Sequence, residues 1–427
     1  MRTILLCLIL ASAAPAAAPP NIVLIVSDDQ GWGDYGFMGH PHVRTPYLDK
    51  LAAQSLWFPR GYVPSSLCCP SLASLITGRY PHQHKITSND PPIPAGMAAR
   101  DAAKDAGVRA LRQRLIGYID DVPTLPRLLA GRGYVSFQTG KWWQGDFKHG
   151  GFTGGMTKGD PDAGGRHGDA GLTIGRQTMA PAFDFIARAK AEGKPFFLWY
   201  APMMPHQPHN PPERLLAKYA DKAPTPTVAK YWAMVEWFDE TCGQLLAELD
   251  RLGVADNTVV VYVADNGWIQ EPNAARYAAK SKQSPYDGGL RTPILLRHPG
   301  RVAPQKAGDL ASSIDLMPTL LAAAGVAAPA GLPGIDLCDA AARAKRDAVY
   351  GACFTHNAVD VARPASSLRW RWTVEGPMKL IVPGGTESGE PELYHLGRDP
   401  HETENLAAKE PAAAARLRGK LDAWWTP

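Results

Sequence analysis

Three unbroken apolar runs stand out along the chain: residues 21–26 (NIVLIV), 195–200 (PFFLWY) and 258–264 (TVVVYVA). Short runs of β-branched and aromatic residues without polar alternation predict strands covered on both faces, as in a parallel sheet. Each run gives way to a polar cluster. The first ends at Ser27-Asp28-Asp29, the last at Asp265-Asn266-Gly267, and the middle one leads on to Pro205-His206. Between them lie stretches of helical periodicity at 122–130 and at 231–252. In the second of these, Met234, Trp237, Phe238, Cys242, Leu245, Leu246 and Leu249 fall at helical spacing. Strands alternating with helices predict an α/β fold, a large sheet with helices on both faces. Ligands of such sheets bind beyond the carboxyl ends of the strands, so the three polar clusters are expected to meet.

The rest of the pattern sets boundaries. Residues 145–171 are rich in Gly, Asp and Thr with little apolar periodicity, and predict a long loop lining a cleft. An Ala/Pro/Gly-rich stretch at 322–333 reads as a joint. Beyond it, segments at 369–382 and 392–396 and a helix from Pro411 predict a smaller C-terminal α+β domain. At the other end, Arg2, an apolar core at 4–10 and small residues at 11–18 have the form of an export leader. That core is too short to span a bilayer, so no membrane anchor is expected. The expected division is a leader at 1–18, a main domain at 19–340 and a C-terminal subdomain at 341–427. The protein is expected to be exported, to the periplasm or the cell exterior.

Composition narrows the partners. A chain of 427 residues, 45% hydrophobic and 20% charged, is an ordinary folded protein. Its formal net charge of +4 comes with no block of Lys or Arg, so nucleic acid is not an implied partner. Without the leader, Cys68, Cys69, Cys242, Cys338 and Cys353 remain. They are too few for a disulfide framework and odd in number, so at least one thiol is expected to have another fate.

The candidate chemistry starts from Asp28, Asp29, Asp265 and Asn266. Three carboxylates and an amide are hard oxygen donors that suit Ca²⁺ or Mg²⁺ far better than zinc. The sharpest motif is residues 64–79, PSSLCCPSLASLITGR. It resembles the sulfatase signature C-x-P-S-R followed by T-G-R, with Cys68 in the first position and Cys69 as the variable one. Further matches run along the chain in order: NIVLIVSDDQGWGD at 21–34, TPYLDKL at 45–51, Gly140-Lys141-Trp142, Pro205-His206-Gln207-Pro208, Asp265-Asn266-Gly267 and KQSPYDGG at 282–289. Later matches are IDLMPTL at 314–320, Glu392-Leu393-Tyr394, Asp399-Pro400 and Asn405-Leu406.

The resemblance implies an alkaline-phosphatase-like fold with a large mixed sheet, residues 19–340 being the catalytic domain. It implies a sulfuric ester hydrolase in which Cys68 is oxidised to formylglycine (3-oxoalanine) by a formylglycine-generating enzyme. Cys68, Lys141, His206 and Lys282 would then be catalytic. Asp28, Asp29, Cys68, Asp265 and Asn266 would hold the metal. Two positions depart from the pattern. The arginine four residues after the modified cysteine is Leu72, and the histidine of G-K-W-H is Trp143. His82, His84, Lys85 and His209 are candidates to replace the lost groups. YVPSSLCCPS at 62–71 and YPHQH at 80–84 look most like the glucosamine-6-sulfatase branch. A carbohydrate sulfate ester is therefore the expected substrate, with Trp142, Trp143 and Trp199 as candidate stacking surfaces or, for Trp199 equally, core residues. The alternatives are a phosphate or phosphonate ester hydrolase of the same superfamily, and a non-catalytic binder of sulfated glycans.

Overall fold

The computed structural model describes residues 18–159 and 167–427. Nearly all of the expected leader therefore lies outside the described residues. The main sheet is built from β1 (Asn21–Ser27), β2 (Leu56–Tyr62), β3 (Val135–Gly140), β4 (Gly154–Gly155), β5 (Phe196–Ala201), β6 (Thr258–Ala264), β7 (Arg291–Arg297), β8 (Gln305–Lys306) and β9 (Ala311–Ser312). Their order across the sheet is β4-β3-β5-β1-β6-β7-β2-β8, with β9 pairing with β2 off this path. The pairs from β4 to β6 are parallel, while β7 is antiparallel to both β6 and β2. The fold is thus α/β with a mixed sheet.

The three apolar runs are β1, β5 and β6, side by side at the centre. Their lack of alternation follows from helices on both faces. Ile22, Leu24 and Val26 point into one core with helices Cys68–Thr77, Leu125–Ala130 and Leu316–Ala323. Val23 and Ile25 point into a second core with helices Pro46–Ala53, Ala180–Ala191 and Pro226–Arg251. The last of these is the helix expected at 231–252. It begins earlier because Pro226 occupies the first turn and the Thr225 hydroxyl accepts from Val228 N at 3.3 Å.

A second, antiparallel sheet follows, in the order β10 (Ala348–Phe354), β11 (Leu368–Glu375), β12 (Met378–Pro383), β13 (Glu392–His395). Helix Pro411–Trp424 covers one of its faces through Leu417 and Leu421. The other face packs Val349, Trp372, Val374 and Ile381 against Tyr62, Val63 and Leu290 of the main domain. Within that seam Lys379 is fully buried, 2.9 Å from both Asp287 and Glu402. No helix among the described residues is long and apolar enough to cross a membrane.

Candidate active site

Register brings the polar clusters together. Ser27 pairs with Ala264, so Asp28 and Asp265 leave neighbouring strands at the same level. Asp265 N donates to Ser27 O at 2.8 Å, and Asp28 N donates to Met204 O at 3.0 Å, which seats the Pro205-His206 loop on the other side of β1. Asp29 adopts φ 62°, a left-handed conformation that aspartate tolerates better than most residues. Lys141 enters from β3 through Gly140, whose φ is 74°. A Cβ at Gly140 would lie 2.1 Å from Ala201 O, so only glycine lets the chain turn out there. Cys68 opens helix Cys68–Thr77. Gly78 closes that helix at φ 63°, with its N–H on Ser74 O.

These residues form one buried polar network. Lys141 Nζ donates to Asp28 Oδ1 at 2.5 Å and to Asp265 Oδ2 at 3.2 Å. Lys282 Nζ donates to both Asp29 oxygens at 2.6 and 2.8 Å. Asn266 Nδ2 donates to Asp29 Oδ1 at 2.7 Å, and the Cys68 thiol donates to Asn266 Oδ1 at 3.4 Å. His206 sits at the mouth, with Nε2 3.5 Å from Asp29 Oδ2 and Nδ1 2.7 Å from the Gln207 carbonyl. The structure therefore brings together all eight residues expected at the site.

The donor set fits a divalent cation. Donor atoms of Asp28, Cys68 and Asp265 lie within 4.8 Å of one another, as do those of Asp28, Asp29 and His206. Asp28 Oδ2 is buried without a hydrogen-bond partner among the described residues. Three carboxylates face two ammonium groups, which leaves one negative charge uncompensated in an interior that penalises it. Asp28, Asp29, Asp265 and Asn266 supply the oxygen ligands such an ion prefers.

Electrostatics follow from burial and these pairs. Burial raises Asp265 to about 6. At Asp29 burial is outweighed by Lys282, His206 and Lys141, which hold it down at about 2. At Lys141 burial is likewise outweighed, here by Asp265 and Asp28, and the ammonium stays charged. Burial pushes the Cys68 thiol up to about 12 and His206 down to about 4.

The two departures sit differently. Leu72 is buried in the apolar core with Trp142. Trp143 is half-buried against the same core. Of the candidate replacements, three serve elsewhere. His84 is buried, 3.0 Å from Ser74 Oγ, and its Nδ1 accepts from Ile86 N. His82 stacks on Trp425 at 4.4 Å, and Lys85 lies over the Tyr118 ring. His209 alone belongs to the site, with its ring 5.5 Å from Tyr231 and 6.2 Å from Trp268 and its Nε2 buried without a partner among the described residues. The stacking expectation for Trp142 and Trp199 is corrected, since both are buried in the core below the site.

Arg176 was not legible as a functional residue. Its guanidinium donates to His206 O at 2.7 Å, Pro208 O at 2.9 Å and Asn210 Oδ1 at 2.5 Å, and also to Met203 O. It therefore clamps the loop that carries His206 and His209. Nothing in its sequence neighbourhood signals this, because every partner lies at least 27 positions away.

Comparisons with known proteins agree with this geometry. The family model described as Sulfatase matches residues 20–326, and one described as N-sulphoglucosamine sulphohydrolase, C-terminal, matches residues 277–423. The chain is 32% identical to N-acetylgalactosamine-6-sulfatase of Canis lupus familiaris, over 91% of this chain and 82% of that protein. It is 33% identical to arylsulfatase A of Homo sapiens, over 78% of this chain and 69% of that protein. The fold matches BT4656, solved in complex with its substrate D-glucosamine-2-N,6-O-disulfate, at TM-score 0.73 and 19% identity over 95% and 96% of the two chains. The sheet order, the converging acids and lysines around Cys68 and these matches together place the chain in the sulfatase family.

Proposed function

We propose that the protein hydrolyses a sulfate ester on a carbohydrate, with residue 68 acting as formylglycine beside a Ca²⁺ or Mg²⁺ ion held by Asp28, Asp29, Asp265 and Asn266. Sulfuric ester hydrolysis is the activity of the family to which the chain belongs. The observation that carries the finer reading is the cluster itself: Cys68 beside Asp28 and Asp265, with two buried lysines and an unpartnered carboxylate oxygen. A hydrated aldehyde at residue 68 would supply the nucleophilic hydroxyl and, through its second hydroxyl, the electron pair that releases sulfate as the aldehyde re-forms, and a bound cation would supply Lewis acidity.

The chain's own groups do the rest. Asp265, with an oxygen within 4.8 Å of the residue 68 side chain, accepts the hydroxyl proton. Lys141 and Lys282 present fixed ammonium groups to the sulfuryl oxygens, and being buried they need no reorganisation when charge develops. Nδ1 of His206 donates to the Gln207 carbonyl, so Nε2 carries a proton for the departing alkoxide only in the imidazolium form, which the Asp29 carboxylate 3.5 Å away favours against burial. The hexosamine 6-sulfates named for the relatives support a carbohydrate substrate. The N-terminal leader pattern supports export, and the signature around Cys68 supports conversion by a formylglycine-generating enzyme before folding.

The experiment joins two measurements on protein from its native host. Mass analysis of the peptide containing residue 68 should show the loss that accompanies conversion of thiol to aldehyde, and chelation should abolish hydrolysis of 4-nitrophenyl sulfate. An unmodified Cys68 in active protein overturns the formylglycine reading, and full activity after chelation overturns the metal.

A further inference from the structure

A cleft of about 630 Å³ adjoins the site, lined by Trp32, Tyr231, Trp232, Trp268, Ile269 and Lys280 among others. That volume lies in the range that holds drug-sized ligands and exceeds the needs of a sulfate group. Three stretches of chain cross from the site into the cleft in two residues each: Asp29 to Gly31, Asn266 to Trp268 and Lys282 to Lys280. Two residues reach at most about 7 Å, roughly the length of one sugar ring. Trp268 is the partition. Its ring lies 5.8 Å from Lys282 Nζ and 6.2 Å from the His209 ring, and it also lines the cleft.

The lining has a definite chemistry. Trp32 and Trp232 are only half-buried, and Ile269 is 43% exposed, one of three large apolar side chains so open among the described residues. Asp34, Lys280 and His401 set polar groups around these apolar faces. Indole faces with scattered donors and acceptors suit a sugar ring, whose C–H faces stack while its hydroxyls find partners. Pro400, His401 and Glu402, which follow β13 of the second sheet, close the far side.

We infer that this cleft is a second sugar-binding subsite, so that the substrate is a sulfated oligosaccharide whose sulfated unit occupies the catalytic centre while its neighbour stacks in the cleft. This rests on the carbohydrate reading above and names the size of the substrate. The test uses desulfated sugars, which cannot turn over: N-acetylgalactosamine and N-acetylglucosamine against chondroitin and heparosan tetrasaccharides, titrated calorimetrically. One tetrasaccharide should bind at least about tenfold tighter than its monosaccharide. The advantage should fall below threefold in Trp232→Ala and survive in Trp232→Phe. Gly33→Phe should block the cleft as well, since a Cβ at Gly33 meets nothing within 4 Å. No length advantage for either sugar, or an advantage unchanged in both Trp232→Ala and Gly33→Phe, overturns the subsite. Hydrolysis of 4-nitrophenyl sulfate, which is too small to span both places, reports the sulfatase chemistry separately.

Discussion

Arg176 touches neither the acids nor Cys68, yet it fixes four groups of the loop that bears His206. Its loss would let that histidine drift, and displacement of a catalytic group by about 1 Å costs on the order of a hundredfold in rate. Arg176→Ala should therefore lower kcat for 4-nitrophenyl sulfate by roughly that factor while KM moves little, and Arg176→Lys should recover part of it. Unchanged kcat would mean the loop holds itself. Leu72 poses the opposite question. It lies four positions after Cys68, on the same side of the helix, but its side chain belongs to the apolar core. Leu72→Arg would place an unpaired charge there, so chemical denaturation should show a loss of about 3 kcal/mol. The same variant restores the arginine of the signature, so in a foreign host the fraction of residue 68 converted should rise by mass. Full conversion of the unaltered chain in such a host would remove the argument from recognition.

At the scale of elements, β3 turns out of the sheet only because Gly140 has no side chain. Gly140→Ala should cost about 3 kcal/mol or more, since both its φ and its space forbid a methyl group. Activity should fall further than thermal denaturation alone accounts for, because Lys141 hangs from that turn. The central elements were readable in the chain for a plain reason. β1, β5 and β6 are covered on both faces, so their composition carries the whole signal, and the polar residues at their ends meet because parallel register aligns those ends. β2 was not readable. It contains Pro59, and its register slips between Phe58 and Gly61, so neither alternation nor a continuous run survives. Trp199 was open to a stacking and a core reading, and the information that decides for the core was present. A tryptophan inside an unbroken apolar run has protein on both sides and no free face for a sugar. His82, His84 and His209 look alike as isolated histidines, and only tertiary packing separates the one at the site from the two that brace helices.

For the whole molecule, the joint between the two sheets depends on one buried cation. Lys379 answers both Asp287 and Glu402, and Glu402 also accepts from Asp287 N at 2.6 Å. Removing the ammonium alone strands the buried Glu402 carboxyl and leaves Asp287 with only the Tyr62 hydroxyl and Arg291, so Lys379→Met should destabilise by about 3–5 kcal/mol. Neutralising the acids too, with Asp287→Asn and Glu402→Gln added, should return much of that loss. A triple variant no more stable than the single one would show that the charges are not what joins the sheets. The order of strands has a consequence of another kind. β1 lies at the centre of the main sheet, but its partner β6 begins only at Thr258, 237 positions along the chain from where β1 begins. A growing chain therefore carries its first strand without that neighbour through most of its synthesis. Helix Cys68–Thr77, which in the finished protein is buried throughout against that sheet, has no complete surface to settle on until then. If residue 68 is converted as proposed, that delay is the interval in which its side chain is open to an oxidising enzyme, and burial of the helix closes it.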